Sequence, residues 1–340
     1  ARCIGANDRV VLLSGNSIEH LIVYLSVLAH GATICTVNVE MNHAYLGDLM
    51  AALDPRLVID EEGLGLSLPE GDWPHIPLGE WSETPTGLFA EIQALPAVSP
   101  PPPAGSEDDD ACIYFTSGTS DRPKGVILTA RELIDNVEPV TRAFAITEKD
   151  RILDFRSFNW ASAQILSALA PLASGATLIL ARKFSQSHFL EWIRDTRATI
   201  AAGNPTIINM MLNRESELTG ADLPCLRFIT SSSAPLLVDE WKRFEERFGI
   251  KIAQGYGSSE TGWIAGSNEN TRRLGCVGRP LAYLDLAIVG NDGKPLPAGE
   301  IGHIEMGNVA GRRYRYLAID GTIHTHARGR IRTGDLGRLD

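Results

Sequence analysis

Apolar and polar positions alternate along the first 60 residues in a pattern that predicts strands and helices in turn. Short apolar runs indicate strands, and apolar residues spaced three and four positions apart indicate helices. Asn16 or Ser17 is placed to cap the first helix, and Gly31 is placed to end it. The predicted strands lie at residues 9–14, 32–37 and 56–60, and the predicted helices at about 17–30 and 43–53. Because strands that alternate with helices form parallel sheets, the pattern predicts an α/β layer.

A second alternating region begins with an apolar run at residues 111–115. Its further strands are predicted at 126–128, 151–155, 176–181, 199–202 and 226–230, and its helices at 187–197, 205–214 and 237–248. The last helix is amphipathic, with Leu237, Trp241, Phe244 and Phe248 on one face, which is typical of core packing. This region therefore predicts a second α/β layer.

The hydrophobic pattern of the sequence changes after about Pro280. Short strands are predicted at 284–289, 301–306 and 313–317, between Gly-rich turns, and residues 291–293 (Asn-Asp-Gly) are typical of a hairpin. With the proline-rich and acidic residues 94–110 as a linker, we expect an α/β unit at 1–93, a second at 111–280 and a small β unit at 281–340.

Residues 158–181 carry no ionised side chain and are long enough to span a bilayer. Pro171 and Gly175 interrupt this stretch, and Asn159 and Gln164 make it more polar than a typical span. We therefore predict a buried helix, a turn and a buried strand.

Composition and charge narrow the function classes. The hydrophobic share of 44% and the charged share of 21% are typical of soluble globular proteins. A net charge of −11 argues against nucleic acid or an anionic membrane as the main partner, but not against a nucleotide bound in a local cleft. The five cysteines are scattered and form no Cys-x-x-Cys pair, which favours reduced thiols and a cytoplasmic location.

A hydroxyl-rich loop follows the strand at 111–115, and it reads Thr116-Ser117-Gly118-Thr119-Ser120-Asp121-Arg122-Pro123-Lys124-Gly125. Its backbone N–H and hydroxyl groups suit anionic oxygens, and Lys124 adds a mobile point charge suited to phosphate. The loop is not a Walker-type P-loop, because Gly125 rather than Ser or Thr follows the lysine. An ordinary polar turn is the alternative for such a stretch taken alone.

Two later motifs add chemistry of the same kind. In the segment 254–262, glycines flank Tyr256, whose ring suits a purine base, and Glu260 is an oxygen ligand suited to Mg²⁺. Asp335, in the segment 332–336 (Arg-Thr-Gly-Asp-Leu), can accept two hydrogen bonds at once. Taken singly, each segment also fits a common turn.

Together these motifs resemble those of the adenylate-forming superfamily, which includes acyl-CoA synthetases, amino-acid adenylation domains and luciferases. Two further segments, 278–280 and 299–304, match this family's pattern, although the family usually has Gly at the positions of Asp121, Ser232 and Ser233. The resemblance implies two Rossmann-like mixed or parallel sheets flanked by helices, with a small β-barrel-like unit. It also implies a mobile C-terminal domain beyond Asp340 that supplies a catalytic lysine, so we expect these 340 residues alone to be severely impaired in the full reaction.

The resemblance also implies the role of each motif residue. The β- and γ-phosphates of ATP would be held by Thr116, Ser117, Gly118, Thr119, Ser120 and Lys124. Ser259 would touch the α-phosphate, Glu260 would bind Mg²⁺, and Asp335 would hold the ribose. The adenine would lie against Tyr256 and Gly257 and the small-residue loop Ser233-Ala234-Pro235.

The same resemblance implies where the acyl group lies. Asn159 and Trp160 fall in a segment that lines the acyl pocket, together with Gly203, Asn204, Gly257 and Trp263. Amino-acid adenylating domains usually have Asp at the position of Asn159, so an acid without an α-amino group is favoured. Core packing is the alternative for Trp160.

The implied reaction activates a carboxylic acid with ATP to an acyl-adenylate and then forms a thioester with CoA, as in an acyl-CoA synthetase. Two alternatives stay open: an adenylation module that loads a carrier protein, and a non-catalytic nucleotide-binding relative.

Overall fold

The computed structural model describes residues 4–40, 43–65, 71, 73–97, 99, 102–116, 123–307, 314–326 and 330–340. Its strands in chain order are β1 Arg9–Leu13, β2 Thr33–Thr36, β3 Leu57–Asp60, β4 His75–Pro77, β5 Asp110–Thr116, β6 Lys124–Thr129, β7 Arg151–Asp154, β8 Thr177–Leu180, β9 Ile200–Ala201, β10 Phe228–Ser231, β11 Ile252–Ser258, β12 Gly262–Gly266, β13 Arg279–Pro280, β14 Asp285–Val289, β15 Gly302–Gly307, β16 Arg315–Leu317, β17 Ile323–Thr325 and β18 Ile331–Gly337.

The α-helices are α1 Ile18–His30, α2 Leu46–Leu53, α3 Gly87–Gln93, α4 Ala130–Ala143, α5 Ala161–Ala163, α6 Ala170–Ser174, α7 Phe189–Thr196, α8 Pro205–Leu212 and α9 Val238–Phe248. Short 3₁₀ turns occupy His43–Tyr45 and Gly220–Asp222, and a π-helical segment, Gln164–Leu169, joins α5 to α6. The predicted caps of α1 are confirmed: the Ser17 hydroxyl accepts a hydrogen bond from the His20 N–H, and Gly31 ends the helix with a φ of 88°.

The first sheet has eight strands in the order β17-β16-β6-β5-β2-β1-β3-β4. The pairs within β1–β5 are parallel, and the pairs β5–β6, β6–β16 and β16–β17 are antiparallel. Thus β5 and β6 complete the sheet that β1–β4 begin, although their sequence position follows the proline-rich segment. Both strands are apolar on both faces, so their sequence pattern does not reveal which sheet they join.

The second sheet has seven strands in the order β13-β12-β11-β10-β9-β7-β8. The pairs from β11 through β10, β9 and β7 to β8 are parallel, and β12 and β13 add an antiparallel edge. The predicted mixed α/β fold with two helix-flanked sheets is confirmed. The uncharged stretch forms a buried helix and the Gly175 turn, as predicted. The prediction of a buried strand after it is wrong, because β8 is an edge strand whose residues are half-buried or exposed.

The small β unit is a three-stranded antiparallel sheet of β14, β15 and β18. The strand expected near residues 313–317 forms β16 instead in the first sheet, where Tyr316 lies opposite Val126. No helix formed by the described residues is long and apolar enough to cross a bilayer.

Helix α4 had no counterpart among the predicted elements, because Pro139 lies inside it and charged residues cover its outer face. Its start carries a capping box: the Thr129 hydroxyl accepts from the Glu132 N–H, and the Glu132 carboxylate accepts from the Thr129 N–H. The Thr-x-x-Glu spacing at 129–132 is the sequence signal that identifies it. Phe144, just after α4, packs edge-on against Trp263 of β12, so α4 belongs to the core that the two large sheets share.

Candidate functional site

The carboxyl ends of the parallel strands in the two large sheets face each other. Asn16, just beyond β1, donates hydrogen bonds from Nδ2 to the carbonyls of Arg156 (2.8 Å) and Ala181 (3.2 Å), which follow β7 and β8. Its Oδ1 accepts from the Phe158 N–H at 2.9 Å. In open α/β sheets, ligands bind in the crevice outside the carboxyl ends of the strands. The region where these two edges meet is therefore the candidate site.

Asn159 lies on the connection from β7 to α5 and is buried, with an exposure of 3%. Its Nδ2 donates to the Ser14 carbonyl at 3.0 Å, which ties this connection to the first sheet. Its Oδ1 is buried without a hydrogen-bond partner among the described residues. Trp160 follows it, opens α5 and is half-buried. The two residues therefore stand at the crevice edge, and Asn159 contributes a neutral amide with one spare acceptor.

Gly203 and Asn204 stand at the end of β9. The Gly203 N–H donates to the Thr230 hydroxyl at 3.2 Å, and a Cβ at this position would come within 2.6 Å of the Thr230 carbonyl oxygen. Asn204 caps α8, because its Oδ1 accepts from the Ile207 N–H at 3.0 Å. The Asn204 acceptor is thus used within the fold, and its amide NH₂ is the group left for other contacts.

The loop after β10 contains the predicted small residues. Ser231 and Ser232 are buried, and their hydroxyls have no hydrogen-bond partner among the described residues. Ser233, Ala234 and Pro235 are exposed at the crevice edge. Ser233 has a φ of +73°, the left-handed region that favours glycine.

Tyr256 and Asp335 are brought together although 79 residues separate them. The Tyr256 hydroxyl donates to Oδ2 of Asp335 at 2.6 Å, across the space between β11 and β18. Burial, and then the adjacent Asp335 and Glu260 carboxylates, raise the pKa of Tyr256 above its ordinary value. The parallel pair Ser231–Gln254 is the last described between β10 and β11, and Ser233 and Tyr256 each lie two residues beyond it. The predicted adenine and ribose residues are therefore neighbours.

Ser259 and Glu260 form the tip of the hairpin that joins β11 to β12, and both are half-buried. A hydrogen bond of 3.0 Å between the Ser258 and Thr261 hydroxyls closes this tip. Glu260 makes no hydrogen bond or ion pair with another described residue. Burial raises the pKa of Tyr316 to about 12, and the Glu260 carboxylate makes a smaller contribution to that rise. Glu260 therefore lies within electrostatic range of Tyr256 of its own sheet and of Tyr316 of the first sheet.

Lys124 begins β6 and is exposed. Because side chains alternate across a strand, Lys124 and Val126 point to the same face of the first sheet. Tyr316 is the cross-strand partner of Val126, so it shares that face, which packs on the core that contains Trp263 of β12. Lys124 thus stands on the side of the sheet from which the Glu260 hairpin approaches. Ser117, Gly118, Thr119 and Ser120, and the Thr116 side chain, lie outside the described residues.

Trp263 and Gly257, which were both predicted to line the acyl pocket, lie in different surroundings. Trp263 is 2% exposed, and its ring lies 5.2 Å from that of Phe144, within the core beneath α4. Gly257 is exposed at a β-bulge, where a Cβ would come within 2.5 Å of the Gly262 carbonyl oxygen. Gly257 therefore lies at the crevice, and the Trp263 ring lies behind it.

A buried ion pair beside the site was not foreseen from the sequence. Arg156 donates from Nε and Nη2 to Asp154, at 3.1 and 2.7 Å, and the Ser167 hydroxyl donates to the same carboxylate at 2.5 Å. Gln164, also in the π-helical segment, donates to the Thr36 hydroxyl at 3.2 Å. The signal in the sequence was the presence of the polar residues Gln164 and Ser167 in an otherwise uncharged stretch. Their hydrogen bonds connect this helix to both large sheets.

No three histidine, cysteine, aspartate or glutamate side chains cluster as a metal site within the described ranges. Mg²⁺ usually needs only one or two protein carboxylates, because substrate phosphates and water complete its shell. A half-buried Glu260 without an ion-pair partner in the described chain fits that requirement.

Known proteins resemble this chain in sequence and in fold. The sequence model described as AMP-binding enzyme matches residues 2–310. The chain is 31% identical to the sulfoacetate–CoA ligase of Cupriavidus necator over 99% of its length, and 28% identical to the oxalate–CoA ligase of Arabidopsis thaliana over 88%. It spans 67% and 60% of these two relatives. The whole chain superposes on ATP-bound MatB from Rhodopseudomonas palustris with a TM-score of 0.84, at 23% sequence identity. It covers 68% of that structure.

Proposed function

Since the chain belongs to the AMP-binding enzyme family, we propose that it activates a carboxylic acid with ATP and transfers the acyl group to CoA. The curated relatives are CoA ligases, which supports CoA rather than a carrier protein as the acceptor. The chain spans about two thirds of those relatives or less, so the activity is assigned to the protein that contains it.

The observation that carries the proposal is the hydrogen bond between Tyr256 and Asp335. Two motifs far apart in the sequence meet at the carboxyl edge of the second sheet, where nucleotides bind in α/β folds. Glu260 lies close enough to Tyr256 to shift its pKa, and its hairpin packs on the side of the first sheet from which Lys124 projects. A base, a ribose and a row of phosphates would extend along this line in that order.

Each residue then has a role in the adenylation step. Tyr256, Gly257 and the Ser233–Pro235 loop would flank adenine, and Asp335 would accept hydrogen bonds from the ribose. Lys124, with residues 116–120, would neutralise the β- and γ-phosphates, and Ser259 would donate to the α-phosphate. Glu260 would hold Mg²⁺, which supplies positive charge to the phosphate oxygens when bound.

The chemistry proceeds in two balanced steps. A carboxylate oxygen of the substrate attacks the α-phosphorus, the bond to the β-phosphate oxygen breaks, and pyrophosphate leaves. The CoA sulfur then attacks the acyl carbon, AMP leaves with the electron pair of the C–O bond, and the thiol proton is lost. The protein's contribution to the first step is mainly positioning and charge compensation.

We propose a small acid without an α-amino group as the substrate. Asn159 presents a neutral amide at the crevice edge, and a substrate ammonium would need a carboxylate there. Sulfoacetate and oxalate, the acids named for the two relatives, are small and lack an amino group. We therefore expect short acids of this kind to be activated ahead of amino acids.

We also propose a cytoplasmic location. Within the described chain Cys35, Cys112, Cys225 and Cys276 are free, and burial raises the pKa of the Cys35 thiol to about 12. Free thiols suit a reducing compartment, where CoA and ATP are available.

Acid-dependent exchange of labelled pyrophosphate into ATP tests the first step, and AMP release with and without CoA tests the second. The full gene product should show exchange with short acids and a CoA-dependent rise in AMP release. The Glu260→Gln and Asp335→Ala variants should lose at least about tenfold in exchange, because each lacks a ligand for ATP or its metal. No exchange with any acid would contradict the proposal, and release that requires a carrier protein would reassign the acceptor.

A further inference from the structure

The Asp335 carboxylate is exposed, and within the described part of the chain one side chain holds it in place. Gly334, with a φ of +89°, turns β18 just before it, and no protein atom within 4 Å would meet a Cβ at Gly334. Among the described residues, the Tyr256 hydroxyl is the one donor that reaches the Asp335 carboxylate. An exposed aspartate without that contact would sample several rotamers, because no other hydrogen bond from a described residue restricts its side chain.

Tyr256 itself is firmly positioned. It lies at the bulge between positions 256 and 257 of β11, and the β11 carbonyl of Gln254 accepts a hydrogen bond from the buried Ser267 at 2.8 Å. Its ring is half-buried, and the raised pKa keeps the hydroxyl protonated near neutral pH. The hydroxyl is therefore a donor held by β11, whereas its acceptor stands on β18, where the pairing with β15 is irregular.

A carboxylate offers about four lone-pair positions, and Tyr256 takes one of them on Oδ2. The positions that remain can accept from a ribose diol, which has two hydroxyl donors. Fixing one oxygen from the protein side orients the others and lowers the entropy lost when a ribose binds.

We propose that the Tyr256 hydroxyl is a positioning group for Asp335 and thereby sets the selectivity of the site for ribonucleotides over deoxyribonucleotides. The inference rests on the proposed ATP site and assigns Tyr256 a second role, carried by its hydroxyl and separate from any contact between its ring and adenine. The substrate class it selects is a nucleoside triphosphate with an intact ribose diol.

The test is a comparison of ATP with 2′-deoxy-ATP and 3′-deoxy-ATP, measured as dissociation constants by calorimetry. We expect the chain to prefer ATP over both analogues. In Tyr256→Phe, which keeps the ring, the preference should fall by about fivefold, the equivalent of one net hydrogen bond. Binding of the deoxy analogues should change less, because they make less use of Asp335.

Tyr283→Phe is the matched control. The Tyr283 hydroxyl bonds to Asn136 and to the carbonyls of Thr261 and Trp263 in the neighbouring hairpin, so its removal weakens local structure without touching Asp335. This control should lower the melting temperature and leave the ratio of ATP to deoxy-ATP affinities unchanged. If Tyr256→Phe also lowered the melting temperature and left this affinity ratio unchanged, Tyr256 would have a purely structural role. That result would overturn the inference.

Two further outcomes separate this inference from the function on which it rests. Asp335→Ala with an undiminished preference for ATP would refute the ribose role of Asp335 and with it the proposed site. Loss of the preference in Asp335→Ala but not in Tyr256→Phe would leave the site standing and remove only the positioning role. Tighter ATP binding by Tyr256→Phe would mean that the hydroxyl competes with ribose, which also contradicts the inference.

Discussion

At the scale of single residues, Ser233 has a backbone conformation that its side chain disfavours. Its φ of +73° brings Cβ close to its own carbonyl, a clash that glycine lacks. The residue is exposed, so no burial offsets this cost. Strain of this kind persists where surrounding structure imposes it, and here it falls at the crevice edge.

We expect Ser233→Gly to raise the free energy of unfolding by up to about 1 kcal/mol, because relief of the clash exceeds the extra entropy of glycine in the unfolded chain. Urea denaturation of the chain measures it. Ser233→Ala keeps the Cβ and should show no gain. Equal stabilities for the glycine and alanine variants would refute the strain argument.

The sequence motifs identified Tyr256, Glu260 and Asp335 as separate candidates, but they did not predict the contact between Tyr256 and Asp335. That contact depends on how β18 packs beside β11, and no local pattern encodes a hydrogen bond across 79 residues. For Asn204, the local sequence fits two roles and does not decide between them. Its type and spacing fit both a pocket residue and a helix cap, and only the geometry shows that its acceptor caps α8.

At the scale of elements, most strands and helices from β1 through α9 followed the hydrophobic pattern, whereas β4 and α3 had no counterpart among the predicted elements. Helix α4 was missed because its pattern is dominated by charge and interrupted by Pro139. The assignment of β16 to the small unit was natural by sequence distance, whereas the chain carries that strand back to the first sheet beside β6. A strand pairs with whichever sheet offers it an unpaired edge, and the sequence of a three-residue strand does not identify that edge.

The segment from α5 to α6 owes its position to a buried ion pair. Asp154 is fully buried, the Arg156 side chain is 8% exposed, and Ser167 of the π-helical turn shares the carboxylate. π-helical turns interrupt the regular hydrogen-bond ladder and often occur at functional sites. Here the turn lets Ser167 and Gln164 point toward different sheets.

Asp154→Asn should lower the free energy of unfolding by about 3–5 kcal/mol, because it leaves the Arg156 charge buried without its counterion. Glu138→Gln is the control, since it removes an exposed ion pair with Arg142 on α4 and should cost less than about 0.5 kcal/mol. Chemical denaturation followed by tryptophan fluorescence compares the two. Similar costs for both variants would show that the buried pair has no special weight.

At the scale of the whole molecule, the two large sheets meet through a buried polar joint. Asn16 bridges the ends of β1, β7 and β8, and His20 lies beside it, fully buried, with Nδ1 2.7 Å from the Ser14 hydroxyl. Burial lowers the pKa of His20 to about 4, against weaker opposing effects of the Phe158 carbonyl and Glu61. The joint therefore tolerates a neutral imidazole and not a charged one.

This joint predicts acid sensitivity. Between pH 6.5 and 4 the unfolded chain binds a proton at His20 and the folded chain does not, so the free energy of unfolding falls as pH falls through that window, by roughly 3 kcal/mol in all. His20→Asn should flatten the pH dependence of stability, and replacing the exposed His324 of β17 with Gln should not. Urea midpoints at several pH values measure this, and an unchanged slope in His20→Asn would disprove it.

By itself, the sequence determined the α/β class, most elements, the family and the residue types of the proposed nucleotide site, because periodicity, caps and loop motifs are local properties of the chain. The tertiary structure alone decided that β5, β6 and β16 share one sheet, that Tyr256 reaches Asp335, and that Lys124 stands on the face toward the Glu260 hairpin. These are choices among distant partners, and they are made by the burial of whole sheet faces and the satisfaction of polar groups at their edges.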